Sequence, residues 1–191
     1  MNRTSWFGTL AIPIAAIMIL AALVHLIVVL LVPVVAGHGI FARLKPLAEP
    51  NATTLLPRAG PDQRLIPYQD PAVAVAFCRF DLASGPVRVS APAGRAFASL
   101  SFHTSRGQAF YALTDRAATQ GVIQAVLATP EDVRALVAQE NEEDPSHDLR
   151  VAAPDREGFV LFRVFSEEPS LYPAAEDQAR RLTCTTEPLP R

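Results

Sequence analysis

The chain has 191 residues, of which 50% are hydrophobic and 19% are charged, and its formal net charge at pH 7 is −2. This length allows a short N-terminal segment and one domain with a proper hydrophobic core. A slightly acidic chain does not offer the basic surface that nucleic-acid binding normally requires, so we expect no nucleic-acid partner.

An apolar run near the N-terminus, residues 10–36, predicts a helix that spans a lipid bilayer. It contains no Asp, Glu, Lys or Arg, and Pro13 and Pro33 bracket its central stretch, Ile14–Val32. At ~1.5 Å per residue, roughly 19 residues give a helix about 28 Å long, close to the ~30 Å hydrocarbon core. We expect Pro13 in the first helical turn and Pro33 where the helix ends.

A cleaved signal peptide is the alternative to a permanent anchor. The small residues Val34-Val35-Ala36 would suit a cleavage site. The apolar segment of a secretory signal is typically ~7–15 residues long, and this run is longer. The length therefore favours an uncleaved signal-anchor.

One face of the predicted anchor suits contact with a second helix. The positions that recur at spacings of four and three are Ala11, Ala15, Met18, Ala22 and His25. Small residues allow close approach, and a histidine can form a hydrogen bond across the contact. A proton relay or haem ligand at His25 is the alternative, but such sites usually need further polar groups. We therefore favour helix contact in a homo-oligomer or a membrane complex.

Residues 1–9 form a short tail before the anchor, and residues 37–69 are rich in proline. Proline fixes φ and removes hydrogen-bond donors, so 37–69 is predicted to be an extended linker. A β-rich domain is expected over 70–187, followed by a C-terminal tail, 188–191.

Short apolar runs with a period of two predict six or more strands in this domain. We expect strands near 73–78, 87–89, 97–103, 108–113, 122–127, 149–152 and 159–165, the last being the most apolar and therefore central. Thr129 and Pro130 predict the start of a helix that ends near Gln139, and Pro173–Leu182 predicts another. The acidic stretch Glu140–Asp148 is expected to be a solvated loop. The fold class is therefore mainly β, an antiparallel sandwich-like domain with two short helices.

The two cysteines, Cys78 and Cys184, lie near opposite ends of the domain. A disulfide between them would persist in an oxidising compartment such as the periplasm. Two buried free thiols are the alternative, and the residues leave both open. The basic residues that flank the anchor, Arg3 before it and Arg43 and Lys45 after it, would place the domain in the cytoplasm by the positive-inside rule. This charge bias is small, and a disulfide would favour an oxidising compartment. We therefore expect the domain outside the cytoplasm, with Cys78 bonded to Cys184.

The best candidate for chemistry is a group of four side chains on or near one predicted hairpin: His103, Tyr111, Asp115 and Arg116. An imidazole beside a carboxylate can act in acid–base catalysis. The simpler interpretation is that Asp115 and Arg116 belong to a turn while His103 lies at a strand end. We favour the simpler interpretation.

Two arginines, Arg79 and Arg163, fall inside predicted strands, where an unpaired buried charge would be costly. Each can point to solvent, pair with an acid such as Asp81, or hold an anionic ligand. No histidine, cysteine or glycine spacing typical of a metal or cofactor site occurs, so we expect neither.

Four segments, Asp70–Leu82, Phe97–Phe102, Tyr111–Ala118 and Glu157–Val164, resemble family 1254 of the bacterial domains of unknown function. The resemblance implies a short alphaproteobacterial type with one N-terminal span. It also implies a partner, because larger relatives join this domain to a companion domain, family 1214, as paired β-sandwiches. No catalytic residue is carried over, since the family has no established activity.

Together these features predict a single-pass protein of the bacterial inner membrane that presents a periplasmic β-sandwich as a binding or interaction module. Its expected partners are the lipid bilayer and a companion-family (1214) membrane protein or a second copy of itself. One alternative is an envelope enzyme that uses the His103/Asp115 region. Another is a subunit of a membrane complex assembled through the anchor helix.

Overall fold

The computed structural model describes residues 3–36, 39–61, 63, 65–66, 68–138 and 149–188. The chain divides into two units, Met1–Gly37 and His38–Arg191. The predicted acidic loop, Glu140–Asp148, lies outside the described residues.

The first unit contains one long helix, α1 (Arg3–Ala36). Its segment Leu10–Val32 has 23 residues. Among the described residues, α1 is the one helix that is long and apolar enough to cross a membrane. The helix continues through Pro13 and Pro33, so the expectation that these prolines mark its ends was wrong. A proline removes one helical hydrogen bond, whereas ending the helix would give up the remaining ones on its far side.

The described residues of the second unit form nine strands in two sheets. The first sheet has the order β1-β2-β8-β4-β5 and the second β7-β6-β3-β9. In chain order the strands are β1 (Ala52–Leu55), β2 (Val73–Asp81), β3 (Val87–Pro92), β4 (Ala98–Thr104), β5 (Ala109–Thr114), β6 (Val122–Ala128), β7 (Arg150–Ala152), β8 (Glu157–Phe165) and β9 (Thr183–Thr186). The predicted mainly-β class and the central position of the 159–165 strand are confirmed.

Three helices accompany these strands: α2 (Gly39–Leu44), α3 (Pro130–Ala138) and α4 (Tyr172–Arg180). The sequence predicted α3 and α4 but not α2. The pairing is antiparallel except for β6 with β7, which is parallel. Parallel neighbours need a crossover connection, and α3 lies in the connection between these two strands. At this edge the sandwich departs from the antiparallel pairing that the sequence predicted for the domain.

The core between the sheets is built from side chains that alternate along each strand. In β3, for example, Val87, Val89 and Ala91 are buried while the residues between them are partly exposed. The buried side of α4, formed by Tyr172, Ala175 and Ala179, belongs to the same cluster.

Two features tie the first sheet to the second. The disulfide between Cys78 in β2 and Cys184 in β9 joins Cα atoms 6.6 Å apart. Asn51, just before β1, donates through Nδ2 to the Asp81 carbonyl at 3.1 Å and to Thr186 Oγ1 in β9 at 2.8 Å. The sandwich is therefore cross-linked both covalently and by hydrogen bonds.

The outer face of the first sheet, away from the second sheet, is covered rather than exposed. Phe77 of β2 and Phe159 of β8 form a second apolar cluster there, with Phe41 and Leu44 of α2 and Leu56 after β1. Phe41 stacks on Phe159 with ring centroids 5.9 Å apart. These covering residues belong to 37–69, which was predicted to be an extended linker. Apolar side chains between the prolines gain free energy by burial against the sheet, and this outweighs the preference of proline for a solvated extended chain.

Candidate functional site

A polar cluster lies within the apolar outer face of the first sheet. Two of its members, Ser101 and His103, alternate along β4, and the third, Arg163, lies on the neighbouring strand β8. The register pairs Ser101 with Leu161 and His103 with Phe159, which places all three side chains on the outer face. The His103 ring stacks on the Phe159 ring, with centroids 4.8 Å apart and planes 3° apart.

Hydrogen bonds connect the three side chains through Ser101. Arg163 Nη1 donates to Ser101 Oγ at 2.8 Å, and His103 Nε2 lies 2.9 Å from the same oxygen. On the other side of the ring, His103 Nδ1 lies 3.4 Å from the Gly107 carbonyl oxygen. Burial lowers the pKa of His103, the Gly107 bond opposes this, and the charge of Arg163 lowers it further. A neutral imidazole that donates from Nδ1 to Gly107 leaves Nε2 to accept from the Ser101 hydroxyl.

A serine hydroxyl beside a neutral histidine is the arrangement of an activated nucleophile. Ser101, however, is only 7% exposed. A nucleophile must face a concave pocket that a substrate can enter, and the neighbouring side chains enclose this hydroxyl instead. The cluster therefore fits a supporting role, in which Ser101 fixes the positions of His103 and Arg163.

The structure does not bring His103 and Asp115 together. In the β4–β5 hairpin, His103 pairs with Ala109 at one end, while Thr114, just before Asp115, pairs with Ser99 at the other. Four residues of strand separate these ends, which is roughly 13 Å. Their separation removes the geometric basis of an acid–base pair.

The other two candidate residues also lie apart from His103. Tyr111 pairs with Phe102, whose side chain belongs to the core between the sheets, so it lies on the opposite face of β4–β5 from His103. Asp115 and Arg116 form the start of a short 3₁₀ turn, in which the Ala118 N–H donates to the Asp115 carbonyl. This agrees with the simpler interpretation of the sequence.

The two strand arginines differ in their partners. Arg79 forms an ion pair with Glu157 at 3.6 Å, and Lys45 contacts the same carboxylate at 3.1 Å. No carboxylate of the described residues lies within ion-pair distance of Arg163, which donates to the Ser101 hydroxyl. Burial lowers the pKa of Arg163, as expected for a cation removed from water. The period of two in β8 could have shown that Arg163 shares a face with Phe159, but not that this face is covered.

An apolar groove lies between the C-terminal end of β8 and α4. Its cavity of about 400 Å³ is lined by Phe165, Leu171 and Ala175, among others, with Arg95 and Glu167 also lining it. The sequence offered no signal for this groove, because its walls come from segments far apart in the chain.

Two large apolar side chains of the lining lie exposed. Phe165 and Leu171 of its lining are 38% and 49% exposed, and Phe97, next to the lining residue Ala96, is 56% exposed.

Among the described residues, no three His, Cys, Asp or Glu side chains form a group that could hold a metal ion.

Comparison with solved structures shows a shared fold. The VPA0106 protein from Vibrio parahaemolyticus aligns with 83% of this chain at 14% identity and a TM-score of 0.54. An uncharacterized protein from Burkholderia cenocepacia aligns with 81% at 15% identity and a TM-score of 0.43. The chain spans only 39% and 44% of the lengths of these two proteins. No curated protein matches the sequence.

Comparison with family models gives a match over residues 50–186 to DUF1254, a protein family of unknown function. The match covers most of the chain and all nine strands of the sandwich. The resemblance seen in the four sequence segments is thus confirmed at the level of the family. This chain belongs to the DUF1254 family.

Proposed function

We propose that this chain is a single-pass protein of the bacterial inner membrane whose β-sandwich works in the periplasm as an interaction module for a second protein domain. The observation that carries the proposal is the apolar groove between β8 and α4. Contiguous exposed apolar surface is uncommon on soluble domains and marks binding surfaces.

The groove has the composition of a protein-binding surface. Phe165 and Leu171 supply exposed aromatic and apolar area, and aromatic side chains are enriched at the centres of interfaces. Arg95 and Glu167 border the same cavity and supply charge of both signs. A polar rim around an apolar centre is the usual anatomy of an interface.

The partner we propose is a membrane protein that carries the companion domain, family 1214. The resemblance of the sequence to short alphaproteobacterial family members implies such a separate partner. The Vibrio protein supports this, since there the same fold forms part of a chain more than twice as long.

The periplasmic location is supported by the bond between Cys78 and Cys184. Cytosolic thiols are kept reduced, whereas a disulfide is stable in the periplasm. Helix α1 supplies a span of suitable length for the anchor.

The test is co-purification of the full-length protein with the companion-family protein after expression of both in the same membrane. Leu171→Asp and Phe165→Asp should each lower the recovered partner at least tenfold, because a carboxylate would lose its hydration in an apolar interface. The matched control is Val137→Asp, which changes a 53% exposed apolar residue of α3, outside the groove lining. Equal recovery with the groove variants and the wild type would refute the groove as the docking surface.

A further inference from the structure

A second cavity, of about 230 Å³, lies against the outer face of the first sheet, and Arg163 is part of its lining. This volume is below the usual ~300–1,000 Å³ of drug-sized pockets. Its lining does not overlap with the apolar groove. An occupant would therefore be a small molecule at a site distinct from the docking surface.

The lining carries one buried donor without an acceptor and one cation without a carboxylate partner. Gln69 Nε2 is buried and has no hydrogen-bond partner among the described residues, and Gln69 lines the same cavity. Buried donors without acceptors are rare in proteins and call for an explanation. Arg163 donates from Nη1 to Ser101, and no carboxylate of the described residues forms an ion pair with it. An anionic oxygen in the cavity would accept from Gln69 and balance the charge of Arg163.

The Arg163 guanidinium is held in place before any ligand arrives. Ser101 accepts from its Nη1 at 2.8 Å, and Ser101 is itself held by His103 Nε2 at 2.9 Å. A side chain that is already ordered loses less entropy when it binds a ligand. The hydrogen-bond cluster on the outer face thus positions Arg163 for the cavity.

The remaining walls indicate a ligand with an apolar tail and a single negative charge. Ile40, Val73, Val75 and Leu161 line the cavity with aliphatic side chains. Asp70 also lines it, with Oδ1 accepting from the Ala72 N–H at 2.8 Å. This carboxylate disfavours an occupant with two negative charges.

The backbone beside Gln69 is strained. Tyr68 has φ 61°, in the left-handed region that non-glycine residues rarely adopt, and its side chain is fully exposed. Such conformations persist where the surrounding structure over-determines them, and they cluster at ligand sites. Here the strain lies in the loop that brings Gln69 into the cavity.

We propose that this cavity binds a small monocarboxylate with a short branched aliphatic tail, with Arg163 and Gln69 donating to the carboxylate and the aliphatic side chains enclosing the tail. A free short-chain acid and an aliphatic amino acid share this chemistry. Asp70 lies where it can accept from the ammonium group of the amino acid.

The test is calorimetric titration of the full-length protein in lipid nanodiscs with isovalerate, with empty nanodiscs as the reference. We expect saturable binding of isovalerate, and weaker binding of isoamyl alcohol and inorganic phosphate by at least tenfold. Leucine in place of isovalerate distinguishes the two sources, since tighter binding of leucine identifies an amino acid. Absence of saturable binding of both carboxylates, or equally tight binding of the alcohol or of phosphate, would overturn the proposal.

Two variants and a matched control locate the site. Arg163→Gln should raise the Kd at least tenfold, because it removes the charge-assisted hydrogen bonds to the carboxylate. Arg79→Gln removes the other strand arginine of the outer face, which pairs with Glu157, and should leave the Kd within twofold. Gln69→Leu is a second test that does not depend on the folding of Arg163→Gln. It changes a loop residue and should raise the Kd at least threefold. An unchanged Kd in a folded Arg163→Gln protein, or in Gln69→Leu, would overturn the proposal.

Discussion

Reduction of the bond between Cys78 and Cys184 should destabilise the sandwich strongly, and the effect can be calculated from the structure. The bond closes a loop with a sequence separation of 106 and joins one sheet to the other. In the chain-entropy model a loop of this length restricts the unfolded chain by about 4.7 kcal/mol at 25 °C. The two cysteines are 0% and 7% exposed. Reduced thiols remain small apolar groups that fit the same core, so most of the loss should arise in the unfolded state.

The assay is urea unfolding of the full-length protein in detergent, with and without dithiothreitol. With an m-value of ~2 kcal/mol/M, the midpoint should fall by about 2 M urea on reduction. The single tryptophan, Trp6, lies in α1, so the signal of choice is the near-ultraviolet circular dichroism of Tyr172, which is 5% exposed in the core. The double variant Cys78→Ala/Cys184→Ala is the control, and dithiothreitol should not change its midpoint.

Two results would refute this reasoning. A midpoint that is unchanged by reduction, in protein whose bond was intact beforehand, would mean that the cross-link does not restrict the unfolded chain. Mass spectrometry that finds both thiols free in alkylated membrane preparations would remove the bond itself, and with it the support for a periplasmic domain.

Two further predictions concern His103 and the anchor. Burial lowers the pKa of His103 below its usual value of 6.5, so the unfolded chain binds a proton at a higher pH than the folded domain does. The contribution of His103 to stability should be complete above pH 6.5 and decline as the pH falls below it. Urea midpoints between pH 7.5 and 5 should therefore vary less in His103→Gln than in the wild type. An equal dependence of the midpoint on pH in the two proteins would contradict this prediction. In the anchor, Ala15→Ile and Ala22→Ile should lower the yield of cross-linked oligomers, because larger side chains keep helices apart. Leu20→Val, on the opposite side of α1, is the control, and unchanged cross-linking in the alanine variants would argue against that contact face.

Local sequence signals accounted for most individual elements. Thr129 was predicted to begin a helix, and it lies one residue before α3. Its Oγ1 accepts from the Asp132 N–H at 3.1 Å. This cap is decided by side chains within one turn, so tertiary contacts are not needed to predict it. The period of two likewise located the strands, because alternation records which residues face the core.

The site depended on strand pairing, which the period of two does not encode. His103 and Asp115 are close in sequence, yet the hairpin register places them at opposite ends. Ser101 and Arg163 are 62 residues apart in the chain and are joined by a hydrogen bond across neighbouring strands. Which strands become neighbours follows from how the two sheets bury their apolar faces together.

The sequence by itself determined the apolar helix, the mainly-β class and the membership of the family, because each depends on composition, on local periodicity or on framework segments. Only the tertiary structure decided which of two similar strand arginines has a carboxylate partner. Arg79 lies at the level of Glu157, whereas Arg163 lies beside Ser101 and a cavity closed partly by Ile40. That difference arises because β8 pairs with β2 on one side and with β4 on the other, which brings Glu157 near Arg79 and Ser101 near Arg163, and no local pattern expresses this pairing.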